Sequence, residues 1–151
     1  CRRHESGEAR AEIVILELAT PTRMLVTAEA DEVVAPGVEG YFGVLPGHAA
    51  FLTTLAPGEV TYRSGQTEHR VAVTGGFAEV RPERVIILAE QAERPEEIDR
   101  ERAELARQRA ETRLQGKGPD GAAAEIDFAR ALAALARALT RLHVASRSSS
   151  Q

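Results

Sequence analysis

The sequence lacks most of the residues on which small secreted domains and metal-binding domains depend. Cys1 is the only cysteine, which excludes an internal disulfide and a cysteine-based zinc cluster. Tryptophan is absent and aromatic residues make up only 4% of the chain, so the aromatic platforms of carbohydrate-binding modules are not expected. No two of the four histidines stand at metal-ligand spacing. We therefore predict no metal site.

Long apolar runs and a strong excess of one charge are also missing. No run of about 18 apolar residues is present, so we expect no membrane span. A net charge of -4 argues against a nucleic-acid-binding protein, which usually presents a basic face. Neither a G-x-S-x-G motif nor a P-loop occurs. We predict a non-catalytic protein, against two alternatives: a hydrolase with His48 as general base, and a stand-alone β-sandwich ligand-binding module with a helical tail.

Short apolar runs separated by glycine and proline fill residues 12–92. The stretch from Val33 to Gly58 alone holds three prolines and five glycines in 26 residues. Two aliphatic runs, 12–19 and 24–30, flank the turn residues TPTR. Because no helix-length segment intervenes, the pattern predicts an antiparallel β-sandwich of about nine to ten short strands.

Beyond Ala89 the composition changes to alanine, glutamate, arginine and leucine, which favours helices. We predict helices over about 95–115 and 121–144, the second capped by Asp120, which together form an antiparallel two-helix hairpin over 93–145. The fold class is therefore α+β. The polar residues 1–11 are predicted to be a flexible extension and residues 146–151 a disordered tail.

The second helix carries an apolar seam with spacing of four and three residues, typical of a helix that buries one stripe. We predict that this seam packs against the first helix and the sandwich when the hairpin is folded. Alanines beside the seam would let a partner helix approach closely. The seam residues are Phe128, Leu132, Leu135, Leu139 and Leu142.

Arginines interrupt the corresponding stripe of the first helix at Arg102 and Arg109. Arg137 and Arg141 lie one turn apart on the second helix. Two interpretations remain open here. The arginines extend their heads into water along the helix surface, or all four converge on an anion between the helices.

Two segments together carry a family resemblance. The residues VVAPGVEGYFGVLPGHAAFLTTLAPGEV and, further on, VAVTGGFAEVRPERVIILAEQAER are similar to the epsilon subunit of F-type ATP synthases of the bacterial type. The similarity extends over about 12–144 with the same order of motifs. It departs from the family pattern at Tyr41-Phe42, where an acidic residue and a leucine are usual.

The resemblance implies a rotor subunit of the central stalk in a proton-translocating complex, on the cytoplasmic side of a bacterial membrane. Its partners would be the gamma subunit, the c-ring and, when the hairpin is extended, the alpha and beta subunits, whose ATP hydrolysis it would inhibit. The loop that faces the c-ring and gamma would present Glu39, Tyr41, Phe42, Leu45, Pro46 and His48.

The resemblance also implies regulatory ATP, although no cofactor is required. Some bacterial members bind ATP through a motif that Ile98-Asp99-Arg100-Glu101-Arg102-Ala103 matches in full. The same pattern recurs at Ile126 to Ala131, which we interpret as a coincidence of an alanine-rich helix. The residues that the resemblance assigns to ATP are Glu93, Ile98, Asp99, Arg102, Ala103, Arg109, Arg137 and Arg141.

Overall fold

The computed structural model describes residues 12–117 and 127–147, which form ten β-strands, one short 3-10 helix and two α-helices. The predicted extension over 1–11, the cap at Asp120 and residues 148–151 of the predicted tail lie outside the described residues. The strands are β1 (Val14–Ala19), β2 (Met24–Ala30), β3 (Glu32–Gly37), β4 (Gly40–Val44), β5 (Phe51–Leu55), β6 (Gly58–Ser64), β7 (Thr67–Val73), β8 (Gly76–Val80), β9 (Arg84–Ala89) and β10 (Ala92–Glu93).

The strands form one continuous sheet in the order β10-β7-β6-β3-β5-β8-β9-β1-β2, with β4 paired to β3. The two halves of the sheet are joined through a single pair, Gly37 with Leu55, between β3 and β5. All neighbouring strands run antiparallel except β1 and β9, which are parallel. The prediction of a β-sandwich is confirmed. The prediction that its strands are antiparallel is wrong for β1 and β9, which can be parallel because a long connection separates them in sequence.

The hydrophobic core lies between the two halves of the sheet. In β1, buried and half-buried residues alternate, so that Val14, Leu16 and Leu18 all point inward. Val60 and Val71 join them from the other half of the sheet. Each such side chain contributes about 1.5–3 kcal/mol when it leaves water.

The first helix begins later than the sequence predicts. Pro95–Glu97 forms a separate 3-10 helix, Ile98 is extended, and α1 spans Arg100–Leu114. α2 spans Phe128–Arg147 and includes the first two residues of the predicted tail, while residues 121–126 of the predicted second helix lie outside the described residues. The start of α1 lies beside the end of α2, where the Arg100 guanidinium donates to the Ala145 carbonyl. The hairpin is therefore antiparallel, as predicted.

The two helices contact each other through alanines and not through the predicted seam. The buried alanines are seven positions apart on each helix: Ala103 and Ala110 on α1, and Ala131, Ala138 and Ala145 on α2, where Val144 is also buried.

The seam prediction is wrong for this folded hairpin. Phe128, Leu132 and Leu139 are 58%, 56% and 47% exposed, and Leu135 and Leu142 are half-buried. Leu132 and Leu139 each follow a buried alanine by one residue, which turns them about 100° away from the contact. Small side chains at the contact bring the helices close together and leave the leucines outside.

Enlarging an alanine at this contact should open the hairpin. We expect Ala138→Leu to destabilise the hairpin by about 1–3 kcal/mol because a well-packed contact has no room for a larger side chain. Ala129→Leu is the matched control, since Ala129 is exposed on the same helix. Urea unfolding followed by circular dichroism measures both. Equal stability of the two variants would contradict the alanine contact.

Candidate functional site

The helical hairpin rests on the sheet through a small apolar contact. Ala72 from β7, Ile98 before α1, and Val144 and Ala145 from α2 form a hydrophobic cluster of their own, separate from the main core. α2 contacts β6, β7 and the 3-10 helix. The cluster comprises four residues, two of them alanines, so polar contacts add to the attachment.

A buried carboxylate, Glu59 of β6, stands at the centre of those polar contacts. Its exposure is 7%, and among the described residues it is the one buried charged side chain. Arg70 Nη1 of β7 donates to Glu59 Oε1 at 2.5 Å. From α2, His143 Nε2 lies 3.2 Å from Oε2 and Arg147 Nη1 lies 3.9 Å from Oε1. We call these four side chains the Glu59 cluster.

The sequence reasoning missed the Glu59 cluster, although part of it was within reach. The Arg63-Ser64-Gly65-Gln66 turn pairs β6 with β7 and places Thr61 opposite Arg70. Glu59 is two residues from Thr61 and therefore shares its face, which makes Glu59 and Arg70 diagonal neighbours. No local signal connects this pair with His143 and Arg147 of α2, which lie more than 70 residues further along the chain.

The motif from Ile98 to Ala103 has a structural role at most of its positions. Ile98 belongs to the apolar cluster under α2. The Asp99 carboxylate accepts a hydrogen bond from the Arg102 backbone N–H at 3.1 Å and so caps α1. Ala103 is fully buried at the contact between the helices. Among the motif residues assigned to ATP, Asp99 and Arg102 are exposed, and Asp99 is engaged as the cap of α1.

The second copy of the motif performs the same task for α2. The Asp127 carboxylate accepts from the Arg130 backbone N–H at 3.1 Å, and Ala131 is buried at the helix contact. The interpretation of this copy as a coincidence of an alanine-rich helix stays a prediction. Each copy supplies an aspartate that caps a helix and, four residues later, an alanine that packs against the other helix.

The four arginines lie on one side of the hairpin. Arg102, Arg109 and Arg137 each precede a buried alanine by one residue, which in two antiparallel helices turns them toward the same side. Arg141 lies there too, and its Nε is 2.7 Å from Oε1 of Glu93 on β10. Within residues 12–117 and 127–147, no carboxylate forms an ion pair with the other three. The structure thus brings the set together on the side opposite Leu132 and Leu139.

The loop that joins β3, β4 and β5 holds its aromatic residues in different ways. Phe42 is half-buried against the core and meets Phe51 edge to face, with ring centroids 5.2 Å apart. Phe42 is therefore less accessible to a partner than Tyr41, although the resemblance implies that the loop presents both residues. The Tyr41 ring is exposed, yet its hydroxyl accepts a hydrogen bond from the Glu59 backbone N–H at 3.0 Å.

The remaining predicted loop residues lie around this pair. Glu39 and Leu45 are exposed, while Pro46 and His48 are half-buried. His48 Nδ1 lies 2.8 Å from the Ala49 carbonyl oxygen, and its ring lies beside that of Phe51. This is the turn-stabilising role that a loop histidine usually has, and it does not favour His48 as a general base.

Electrostatics near the junction of sheet and hairpin favour a fixed 3-10 helix. The Arg23 guanidinium hydrogen-bonds Glu97 and holds the pKa of that carboxyl below its usual range. Arg94 Nη2 donates to the Leu25 carbonyl at 2.5 Å. Both contacts connect β2, or the turn before it, with the segment that leads into α1. Burial raises the pKa of Tyr62, whose ring stacks on His69 nearby.

The described residues contain neither a cluster of metal-ligating side chains nor a helix that could span a membrane. No group of three or more histidine, cysteine, aspartate or glutamate side chains in residues 12–117 and 127–147 is placed to hold a metal ion. Neither of the described α-helices has the length and apolar character that crossing a membrane requires.

Comparison with protein families divides the chain into two matched segments. Residues 14–95 match the beta-sandwich domain of the ATP synthase delta/epsilon chain. Residues 96–146 match the long alpha-helix domain of the same chain. Together the two segments include nearly all of the described residues.

Individual relatives agree with this match. The ATP synthase epsilon chain of Moorella thermoacetica is 53% identical over 131 residues, which are 86% of this chain and 94% of that protein. The epsilon chain of Syntrophobacter fumaroxidans is 50% identical over 137 residues, covering 91% and 98% of the two chains.

Solved structures give the same result. A chain in the cryo-EM structure of the Euglena gracilis mitochondrial ATP synthase, which comprises OSCP, F1 and the c-ring, is similar with a TM-score of 0.73 and 26% identity. The similarity covers 95% of this chain and 86% of that chain. A chain of the Tetrahymena thermophila central stalk and c-ring shares the fold, with a TM-score of 0.54 and 16% identity.

Proposed function

The chain belongs to the delta/epsilon family of ATP synthase chains, and from this we propose that it is the epsilon subunit in the rotor of a proton-translocating F-type ATP synthase. The observation that carries the proposal is the match of both family domains, in order, at about half identity to epsilon chains. In this role the protein is a non-catalytic component, peripheral to a bacterial membrane on its cytoplasmic side. It couples the gamma subunit to the c-ring and inhibits ATP hydrolysis.

An exposed apolar row across one half of the sheet supports a gamma-binding surface. Pairing between strands places Phe77 opposite Leu88, Leu88 opposite Ala19, and Ala19 opposite Met24. The three large side chains of this row are each more than half exposed. Contiguous apolar surface of this kind is typical of a protein interface. The row faces away from the core and is continuous across β8, β9, β1 and β2.

The loop around Tyr41 supports contact with the c-ring. Val38, Tyr41 and Leu45 are all more than half exposed, so the loop offers apolar contacts at its surface. Its base is fixed by the Phe42–Phe51 pair and by the Tyr41–Glu59 hydrogen bond. A fixed loop binds a partner with a lower loss of conformational entropy than a flexible one.

The unused leucine face of α2 supports an extended state of the hairpin. An amphipathic helix whose apolar stripe is largely exposed is typical of a helix that binds a second partner. We infer that the stripe from Phe128 to Leu142 buries against gamma and the alpha and beta subunits once the hairpin leaves the sheet. The structure described above is then the folded state, in which hydrolysis is not blocked.

Regulatory ATP is a further part of this proposal. Arg102 and Arg109 are exposed, form no ion pair within residues 12–117 and 127–147, and share one side of the hairpin with Arg137 and Arg141. Arginine forks bind phosphate oxygens through paired hydrogen bonds, so this side suits a polyphosphate. A ligand held by both helices would favour the folded hairpin, because separating the helices would divide its contacts.

Removal of the hairpin should release ATP hydrolysis. In the reconstituted complex, deletion of residues 92–151 is expected to raise the hydrolysis rate several-fold, because the inhibiting element is gone. Steady-state ATP hydrolysis measures the change. Unchanged hydrolysis at full incorporation of the truncated subunit would refute the inhibitory role.

A polar residue in the apolar row should weaken binding to gamma. We expect Leu88→Ser to weaken it at least tenfold, since burial of one leucine contributes about 1.5–3 kcal/mol. Leu45→Ser is the matched control, because Leu45 has the same 56% exposure but lies on the loop assigned to the c-ring. Surface plasmon resonance with isolated gamma compares them. Equal losses for both variants would show that the row is not the gamma-binding surface.

The duplicated motif provides a matched pair for testing ATP. We expect Arg102→Ala to weaken ATP binding at least tenfold, since a hydrogen bond between charged groups contributes about 1.5–3 kcal/mol. Arg130→Ala removes the corresponding arginine of the second copy and should change binding by less than about twofold, within the scatter of surface substitutions. Isothermal titration calorimetry measures the affinity of the isolated chain and of both variants for ATP. Equal effects, or no binding by the unmodified chain, would refute the proposal.

A further inference from the structure

We propose that Glu59 is the latch that holds the helical hairpin against the sheet, and that losing its contacts with α2 is what releases the hairpin. Glu59 belongs to β6, while two of its three basic neighbours, His143 and Arg147, belong to α2. The latch is a property of the folded chain itself. Only its consequence for ATP hydrolysis depends on the proposed function.

Burial gives the carboxylate its energetic weight. A charged group that is more than nine-tenths shielded from water is costly unless cations and hydrogen-bond donors surround it. Arg70 satisfies Oε1 from within the sheet. Oε2 has no hydrogen bond among the described residues, and the nearest basic side chain is that of His143, whose Nε2 lies 3.2 Å away and forms an ion pair with Oε2 when the imidazole is protonated. Docking of α2 therefore both buries Oε2 and supplies the group that compensates it.

The contact acts at the end of α2 that meets the sheet. Val144 and Ala145 lie between His143 and Arg147 in the chain and form the apolar contact with Ala72 and Ile98. The apolar and charged contacts thus occupy the same turn of helix. Because the apolar residues are few and two of them are alanines, loss of the charged contacts removes a large share of what holds this end.

Release leaves the sheet intact. When α2 departs, Glu59 gains access to water and keeps Arg70, which is also held by Glu68 at 2.9 Å. Water then replaces His143 at Oε2 and Arg147 at Oε1. Because water can replace the α2 side chains around Glu59, their contacts with Glu59 have a modest net free energy. A modest free energy of docking is what a hairpin that docks and undocks reversibly requires.

The test measures docking directly in the full-length chain with Cys1→Ser and spin labels at positions 66 and 132. Both sites are exposed, one on the sheet and one on α2. Double electron–electron resonance then gives the ratio of docked to undocked molecules. We expect Glu59→Gln, which keeps the shape and removes the charge, to lower this ratio at least tenfold.

Glu68→Gln is the matched control for Glu59→Gln. Glu68 binds the same Arg70 but is exposed and is not among the partners of α2, so its substitution should change the ratio by less than about twofold, like other surface changes. The double variant His143→Gln and Arg147→Gln removes the contacts of α2 with Glu59 without changing any residue of the sheet. It should lower the ratio to the same extent as Glu59→Gln.

The outcomes separate the latch from the proposed function. If both Glu59→Gln and the double variant keep the docked ratio of the parent chain, the latch is refuted. If they lower it, the latch stands, and the reconstituted complex with Glu59→Gln should hydrolyse ATP more slowly because the hairpin extends more often. Undocking without any change in hydrolysis would instead overturn the regulatory function assigned to the hairpin.

Discussion

The attachment of the hairpin to the sheet combines a small apolar contact, the Arg141–Glu93 ion pair and the contacts of α2 with one buried carboxylate. A contact made of Ala72, Ile98, Val144 and Ala145 is small, and it cannot fix twenty residues of α2 by apolar burial alone. Glu59 adds a directional contact, because its charge is tolerated in a buried position only while cations surround it. The position of the helices therefore follows from the electrostatic requirement of a strand residue.

The hairpin itself is two-sided, and the alanine contact is the reason. Alanines at seven-residue spacing bring α1 and α2 close together, which leaves the arginines on one side and the leucines on the other. Had the leucines formed the contact, the apolar surface would be consumed in the folded hairpin and no face would remain for a partner. The choice of small residues keeps the leucine face available while the helices remain paired.

Sequence reasoning predicted the architecture because the signals for it are local. Turn residues and short aliphatic runs define strands such as Met24–Ala30, whose observed bounds are the predicted ones. The start of the first helix was placed too early, because Pro95 and the charges after it suit a 3-10 helix as well as an α-helix, and the aspartate cap decides between them.

The helix contact and the Glu59 cluster were harder to predict for different reasons. A seam of leucines usually indicates the buried stripe, and only the three-dimensional contact reveals that alanines replace it here. The parallel pairing of β1 with β9 and the meeting of Glu59 with His143 both join residues far apart in the chain. Periodicity carries no information on such contacts.

The hydrogen bond from the Glu59 backbone to Tyr41 has a mechanical consequence. Gly58 allows this approach, because a β-carbon there would lie 2.7 Å from the Tyr41 hydroxyl and 2.5 Å from Pro36. The loop is thus braced against β6 at a point beyond its own strand pairing. A sideways force on the loop is therefore transmitted to the sheet through the Tyr41–Glu59 hydrogen bond as well as through the strand pairing. This second connection limits how far the loop bends under such a force.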